Sequence, residues 1–353
     1  MCAGLAALLG TVLLTGCPAE EDERAPEEEI DISALVTEWT EAGHSRIITF
    51  AAEESPCAGC HDGGAFAQGV NDPAELDREW PVAIDCRACH TGRGAERLES
   101  GETTIPSSPD TLALGHGALC AGCHRALRAP DIADEERRTP HYSPVTDVMQ
   151  GVGGIRTDDM DVGSTEDHAE IDDACVGCHM LQAEEGHPSH TFRVIDFQEA
   201  CGECHEEIES AEDTPTIQAA GDYDGDGSVE EFTAEVEGLL TLLNDTLTER
   251  MDGASYRSVQ GRIVFVRGET TVTAPIPDEV YLAAYNHMMI DRGGAMGFHN
   301  PRFTIDLLQE SYRALTGEAV PNAAPFGEEE AEETTPAPEG QETTPGGTQE
   351  TTP

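Results

Sequence analysis

The C-terminal part of the chain carries apolar residues at helical spacing. One stripe with steps of three or four positions contains Val229, Phe232, Val236, Leu239, Leu240, Leu243, Leu247 and Met251, and it predicts a helix. The pattern predicts a second helix over 278–290. A third should begin at Asn300-Pro301, a cap followed by proline, and end before Gly317. Residues 262–267 and 270–273 predict a short hairpin around Gly268-Glu269.

The N-terminus begins with an apolar run that is too short to span a bilayer but suits the core of a signal peptide. It ends in Leu14-Thr15-Gly16-Cys17, which resembles the lipobox of bacterial lipoproteins. The resemblance implies cleavage before Cys17, lipidation of its thiol, and an exported protein anchored to a membrane by lipid. No basic residue precedes the run. An ordinary signal peptide with an incidental cysteine is the alternative.

Composition predicts four regions. Residues 1–16 are a signal peptide and 17–32 an acidic, flexible tether, while 322–353 are rich in Glu, Thr and Pro and predict a disordered tail. Residues 33–321 are expected to form one integrated domain, with motifs at 57–205 and a helical part at 206–321. Only 38% of residues are hydrophobic and 5% aromatic, so a bound cofactor is expected to supply buried apolar mass.

The charge is strongly acidic. Seventy Asp and Glu face 19 basic residues, all of them arginine, for a formal net charge of −51. Such a field repels nucleic acid and anionic lipid headgroups, so neither is an expected partner. The field would favour basic partner proteins, although adaptation to a saline habitat is the simpler explanation of the charge.

Ten of the twelve cysteines fall into five copies of Cys-x-x-Cys-His. The copies are Cys57, Cys60, His61; Cys86, Cys89, His90; Cys120, Cys123, His124; Cys175, Cys178, His179; and Cys201, Cys204, His205. In this spacing two thiols can bond the vinyl groups of one haem, and the adjacent histidine can ligate the iron. A disulfide framework or a zinc site leaves that histidine unexplained. The motifs therefore predict five covalently bound haem c groups.

Eight histidines lie outside the motifs as candidate sixth ligands: His44, His116, His141, His168, His187, His190, His287 and His299. Methionines 149, 160, 288, 289 and 296 are weaker candidates. Sequence spacing alone does not say which of these histidines serves which haem.

Three stretches resemble the bacterial multihaem cytochromes related to ammonia-forming nitrite reductases. They are Thr139-Pro-His-Tyr-Ser-Pro144, Cys175 to Met180 with His190-Thr-Phe192, and Gly297-Phe-His-Asn-Pro301. The resemblance covers about residues 36–316 and implies a mainly helical multihaem cytochrome fold with much irregular loop. It implies distal ligands at His44, His141, His168, His190 and His299, which leaves His116 and His187 spare and His287 on a helix face.

Alternate acidic residues form a second candidate site. Asp222, Asp224, Asp226 and Ser228, with Gly227 at the turn, resemble the start of a calcium-binding EF-hand loop, but Thr233 stands where the loop needs glutamate. An acidic turn that caps the next helix is the alternative.

The expected function is electron transfer between a respiratory donor at the membrane and a periplasmic or extracellular acceptor. The expected partners are other cytochromes or a membrane complex that oxidises quinol. The alternative is a reductase of nitrite, hydroxylamine or a similar small substrate at one five-coordinate haem. The related nitrite reductases use a proximal lysine at the catalytic haem, and this chain contains no lysine.

Overall fold

The computed structural model describes residues 32–165, 167–183, 186–208, 210, 216–293 and 295–327. Its helices are α1 (Ile32–Glu41), α2 (Thr49–Ala52), α3 (Ala58–His61), α4 (Gly63–Gln68), α5 (Cys86–His90), α6 (Gly92–Ser100), α7 (Ala118–Ala121), α8 (Val145–Met149), α9 (Cys175–His179), α10 (Phe197–Cys201), α11 (Phe232–Arg250), α12 (Asp278–Gly293) and α13 (Pro301–Thr316). Long irregular segments join the short helices. The predicted fold class, mainly helical with much loop, is confirmed.

Five short strands form two antiparallel sheets. They are β1 (Glu102–Thr104), β2 (Thr111–Ala113), β3 (Ser255–Val259), β4 (Arg262–Arg267) and β5 (Thr270–Thr271). The predicted hairpin is confirmed, since β4 pairs with β5 in the register Val266 to Thr271. Strand β3 adds a third member that the sequence pattern did not predict; its central residue Arg257 pairs with Val264.

Helices α11, α12 and α13 pack on one another and form the largest apolar core. The predicted stripe on α11 is buried from Phe232 to Leu247. The prediction that Val229 belongs to the buried stripe is wrong, because Val229 precedes the helix and is 44% exposed. Backbone bonds from Ala219 N to Glu230 O and from Phe232 N to Ile217 O hold this segment extended.

Helix α13 begins and ends as predicted. Asn300 caps it by accepting a hydrogen bond from Phe303 N, and Pro301 occupies the first turn. Gly317 ends the helix with φ +84°, a left-handed conformation that glycine adopts without strain. The following residues still pack on the core, since Phe326 stacks on Tyr223 at 5.6 Å.

Among the described residues between 42 and 208, two small apolar clusters lie apart from the core of α11, α12 and α13. One joins Leu114, Ala118, Ala121, Met149 and Ala174, and another joins Ala58, Ala65 and Leu76. Ten of the twelve large apolar side chains that are exposed in the described residues lie before position 206, Phe50 (78% exposed) and Tyr142 (66%) among them. A planar apolar cofactor would give these side chains a surface to pack on.

None of the helices in the described ranges has the length and apolarity needed to cross a membrane. The predicted signal peptide, Cys17, the tether up to residue 31 and the tail from residue 328 lie outside the described residues. The predicted domain boundaries stay a prediction.

Candidate haem-ligating site

Each of the five motifs contains a helical turn that brings its first cysteine and its histidine to the same side. In the first, third and fifth motifs the histidine N–H donates to the carbonyl of the first cysteine, as in His61 N to Cys57 O at 3.0 Å. In the second and fourth motifs the whole sequence from cysteine to histidine is helical. All ten motif cysteines are free of disulfides.

Each motif histidine faces one histidine from elsewhere in the chain. The pairs, numbered here as sites 1 to 5 in motif order, are His61 with His141 (6.0 Å between ring centroids), His90 with His190 (6.3 Å), His124 with His44 (6.0 Å), His179 with His299 (6.3 Å) and His205 with His168 (6.3 Å). The five facing histidines are the ones that the family resemblance implied. That these residues ligate iron stays a prediction.

The ring separation fits a metal held between two imidazoles. A metal–nitrogen bond of about 2 Å and a nitrogen about 1.1 Å from its ring centre place two trans imidazole centroids about 6.2 Å apart. Four of the rings also direct Nδ1 to a backbone carbonyl. The acceptors are Tyr142 O for His141, Phe298 O for His168, Phe192 O for His179 and Pro188 O for His190. This arrangement leaves Nε2 of each ring available as the ligand.

Burial affects the rings at the centre of the group most. It lowers the pKa of His124 to about 4, with further contributions from His44 and His179. It also lowers the pKa of His299 to about 4, with contributions from His179 and His168. Neutral imidazole is the form that binds a metal.

The sites adjoin one another in a definite order. Sγ of Cys60 lies 3.9 Å from the backbone carbonyl of Gly122 in the third motif, which joins sites 1 and 3. Ala118 and Ala121 beside the third motif pack with Ala174 and Cys175, which joins sites 3 and 4. Helix α9 contacts α10, which joins sites 4 and 5. The order along the protein is therefore 1, 3, 4, 5.

Site 2 lies beside site 3, with Phe192 between them. The Phe192 ring centroid is 4.6 Å from that of His44 and 6.0 Å from that of His190. Its carbonyl is 3.2 Å from Nδ1 of His179, so the residue contacts sites 2, 3 and 4. Its φ is +56°, a conformation that costs a bulky residue about 1–3 kcal/mol. In the sequence, only the position of Phe192 two residues after His190 points to it.

The remaining histidines lie outside these pairs. His116 contacts Asp173, with Nδ1 3.0 Å from Oδ2, and its side chain is 57% exposed. His187 is buried 6.3 Å from the His190 ring, and neither of its ring nitrogens has a hydrogen-bond partner among the described residues. His287 packs its ring against Tyr256. Among the methionines, Met289 accepts the N–H of Gly154.

The acidic loop brings three carboxylates together. Ligand atoms of Asp222, Asp224 and Asp226 lie within 4.8 Å of one another. Burial, and then the neighbouring carboxylates, raises the pKa of Asp224 to about 6. The buried carboxylate of Glu235, which the motif did not indicate, accepts the N–H groups of Tyr223 and Glu230 and so organises the loop from the first turn of α11. Calcium binding here stays a prediction.

Comparison with known proteins gives little further information. No protein-family model and no curated protein matches the chain. Among solved structures, the outer cell wall cytochrome OcwA is similar with a TM-score of 0.48 and 17% sequence identity. The match covers 79% of this chain and 49% of that cytochrome, so this chain spans about half of its length.

Proposed function

We propose that the chain is a c-type cytochrome that holds five haems and carries electrons between redox partner proteins. The observation that supports this most is the pairing of every motif histidine with a second histidine at 6.0–6.3 Å. Haem c, when bound, supplies one single-electron carrier at each site. The cysteines would hold it covalently, and the paired histidines would fill both axial positions.

The pairing favours electron transfer over the alternative of a small-substrate reductase. A reductase needs one site whose proximal histidine faces no second protein ligand. Each of the five motif histidines faces another histidine. Histidine on both sides, rather than methionine on one, also favours low reduction potentials.

The proposal includes export and attachment to a membrane through lipid on Cys17. Covalent haem attachment takes place outside the cytoplasm, and Leu14-Thr15-Gly16-Cys17 supports lipidation. The acidic surface supports basic electron-transfer proteins as partners.

Electron paramagnetic resonance of the oxidised, haem-loaded protein tests the proposal. We expect low-spin signals alone. Nearly parallel axial rings split the iron dπ orbitals and give a rhombic signal, whereas steeply crossed rings leave those orbitals close in energy and give a highly anisotropic one. Sites 2 and 4 have ring planes 26° and 25° apart and belong to the rhombic class. Site 3, at 71°, belongs to the anisotropic class. A high-spin signal equivalent to one haem would overturn the assignment and favour a reductase.

Substitution of Phe192 by alanine tests how the ligand planes are held. We expect the anisotropic signal assigned to site 3 to shift or broaden, because His44 loses the ring that packs edge-on against it at 4.6 Å. Five haems and low-spin iron should be retained, since no ligand is removed. Phe326→Ala is the matched control, because that ring stacks on Tyr223 in the C-terminal core. Identical spectra for both variants would show that Phe192 does not set the plane of His44.

A further inference from the structure

Three arginines converge where the first and third motifs meet. The guanidinium of Arg97 occupies the space that a side chain at Gly122 would need, which requires glycine between Cys120 and Cys123. Arg125 donates from Nε to the carbonyl of the same glycine at 3.2 Å. Arg93 lies beside Arg97, and both guanidiniums pack over the Phe66 ring, at 5.8 and 5.7 Å. Sγ of Cys60 lies 3.9 Å from the same Gly122 carbonyl, so the cluster adjoins sites 1 and 3.

The cluster has no direct carboxylate partner in the described ranges. None of its three arginines forms an ion pair with a carboxylate within the described ranges, although Asp and Glu outnumber Arg by 70 to 19 in the chain. Arg97 Nη1 is buried without a hydrogen-bond partner. Positive charge beside a partly buried redox centre is weakly screened and stabilises the reduced state.

The side chains next to the fifth motif are negatively charged, in contrast to the three arginines. Oε1 of Glu207 lies 3.3 Å from Nδ1 of its proximal ligand His205. Four of the other nine paired histidines direct Nδ1 to an acceptor in the described residues, and in all four that acceptor is a backbone carbonyl. A carboxylate bonded to a ligand imidazole makes the ring more basic and stabilises the oxidised metal. Glu203 and Glu206 flank His205 in sequence and add negative charge nearby.

We propose that these charged side chains order the reduction potentials of the five sites, with sites 1 and 3 the highest and site 5 the lowest. This inference rests on the proposed function and adds a direction of electron flow to it. An electron delivered at site 5 by a low-potential one-electron donor would move downhill through site 4 to site 3 and site 1. Arg97 and Glu207 act through their charge on neighbouring groups and are positioning residues.

Spectroelectrochemical titration of the haem-loaded protein tests the ordering. We expect Arg97→Gln to lower one or both of the two highest of the five midpoint potentials. We expect Glu207→Gln to raise the lowest one. Each change should alter the one-electron equilibrium constant about threefold to tenfold, which corresponds to about 30–60 mV. Arg97→Lys and Glu207→Asp keep the charge and should return the midpoints toward those of the unchanged protein.

Arg250→Gln and Glu279→Gln are the matched controls, because these residues form an exposed ion pair in the C-terminal part, 3.0 Å apart. They should move no midpoint. Unchanged midpoints in Arg97→Gln and Glu207→Gln, or shifts in the opposite directions, would overturn the ordering. Haem content is measured first by the pyridine haemochrome assay. Fewer than five haems in the unchanged protein would instead contradict the proposed function.

Discussion

Replacement of His299 by alanine should convert one of five iron sites from low-spin to high-spin. The His299 ring faces His179, with 6.3 Å between the ring centroids. In the described residues, no histidine from outside the five pairs has its ring next to His179. Without the imidazole, that iron would keep a single axial protein ligand. The expected result is a high-spin signal equivalent to one haem in the electron paramagnetic resonance spectrum, with four low-spin irons unchanged.

His287→Ala is the matched control for this variant. His287 lies in the same part of the chain, on α12, but its ring packs against Tyr256 and pairs with no motif histidine. Its replacement should leave all five irons low-spin. Added imidazole should restore the low-spin spectrum of His299→Ala, because it can fill the space of the lost ring. A His299→Ala protein that keeps five haems and remains fully low-spin would contradict the pairing at site 4.

The sequence predicted those features that depend on local pattern. The stripe on α11, the extent of α12 and the proline and glycine at the two ends of α13 are local signals, and the structure confirms these helices. Strand β3 has no such signal, because Ser255–Val259 is mostly polar and exposed and becomes a strand only by pairing with β4. Val229 carried the right spacing, but long-range backbone bonds to residues 217–219 keep it out of the helix.

Which histidines face each other depends on the fold. The five Cys-x-x-Cys-His motifs are legible in the sequence, yet the partner of His124 is His44, which precedes the first motif. No periodicity connects residues so far apart. The roles proposed for Phe192, Arg97 and Glu207 were also missed, because each depends on which groups the side chain contacts in the folded chain. An aromatic or charged residue of this kind has no motif of its own.

Asn300→Ala should both destabilise the fold and disturb site 4. Asn300 is fully buried next to His299 in sequence. Its Oδ1 accepts the N–H groups of Thr165 (2.8 Å) and Phe303 (3.1 Å). Its Nδ2 donates to Met149 O (3.1 Å) and Ser164 Oγ (2.8 Å). Alanine would remove the cap of α13 and leave buried backbone groups unsatisfied, at a cost of about 3 kcal/mol in the free energy of unfolding.

Asn286→Ala separates the loss of stability from the disturbance of site 4. Asn286 is also fully buried, and its amide binds Ile155 N at 2.7 Å, Ile155 O at 2.9 Å and Ser311 Oγ at 2.9 Å, inside the C-terminal core. It should lower the free energy of unfolding by a similar amount in denaturant titrations. Only Asn300→Ala should also change the rhombic signal assigned to site 4, because only Asn300 adjoins a ligand histidine. If both variants left that signal unchanged, Asn300 would stabilise α13 without positioning His299.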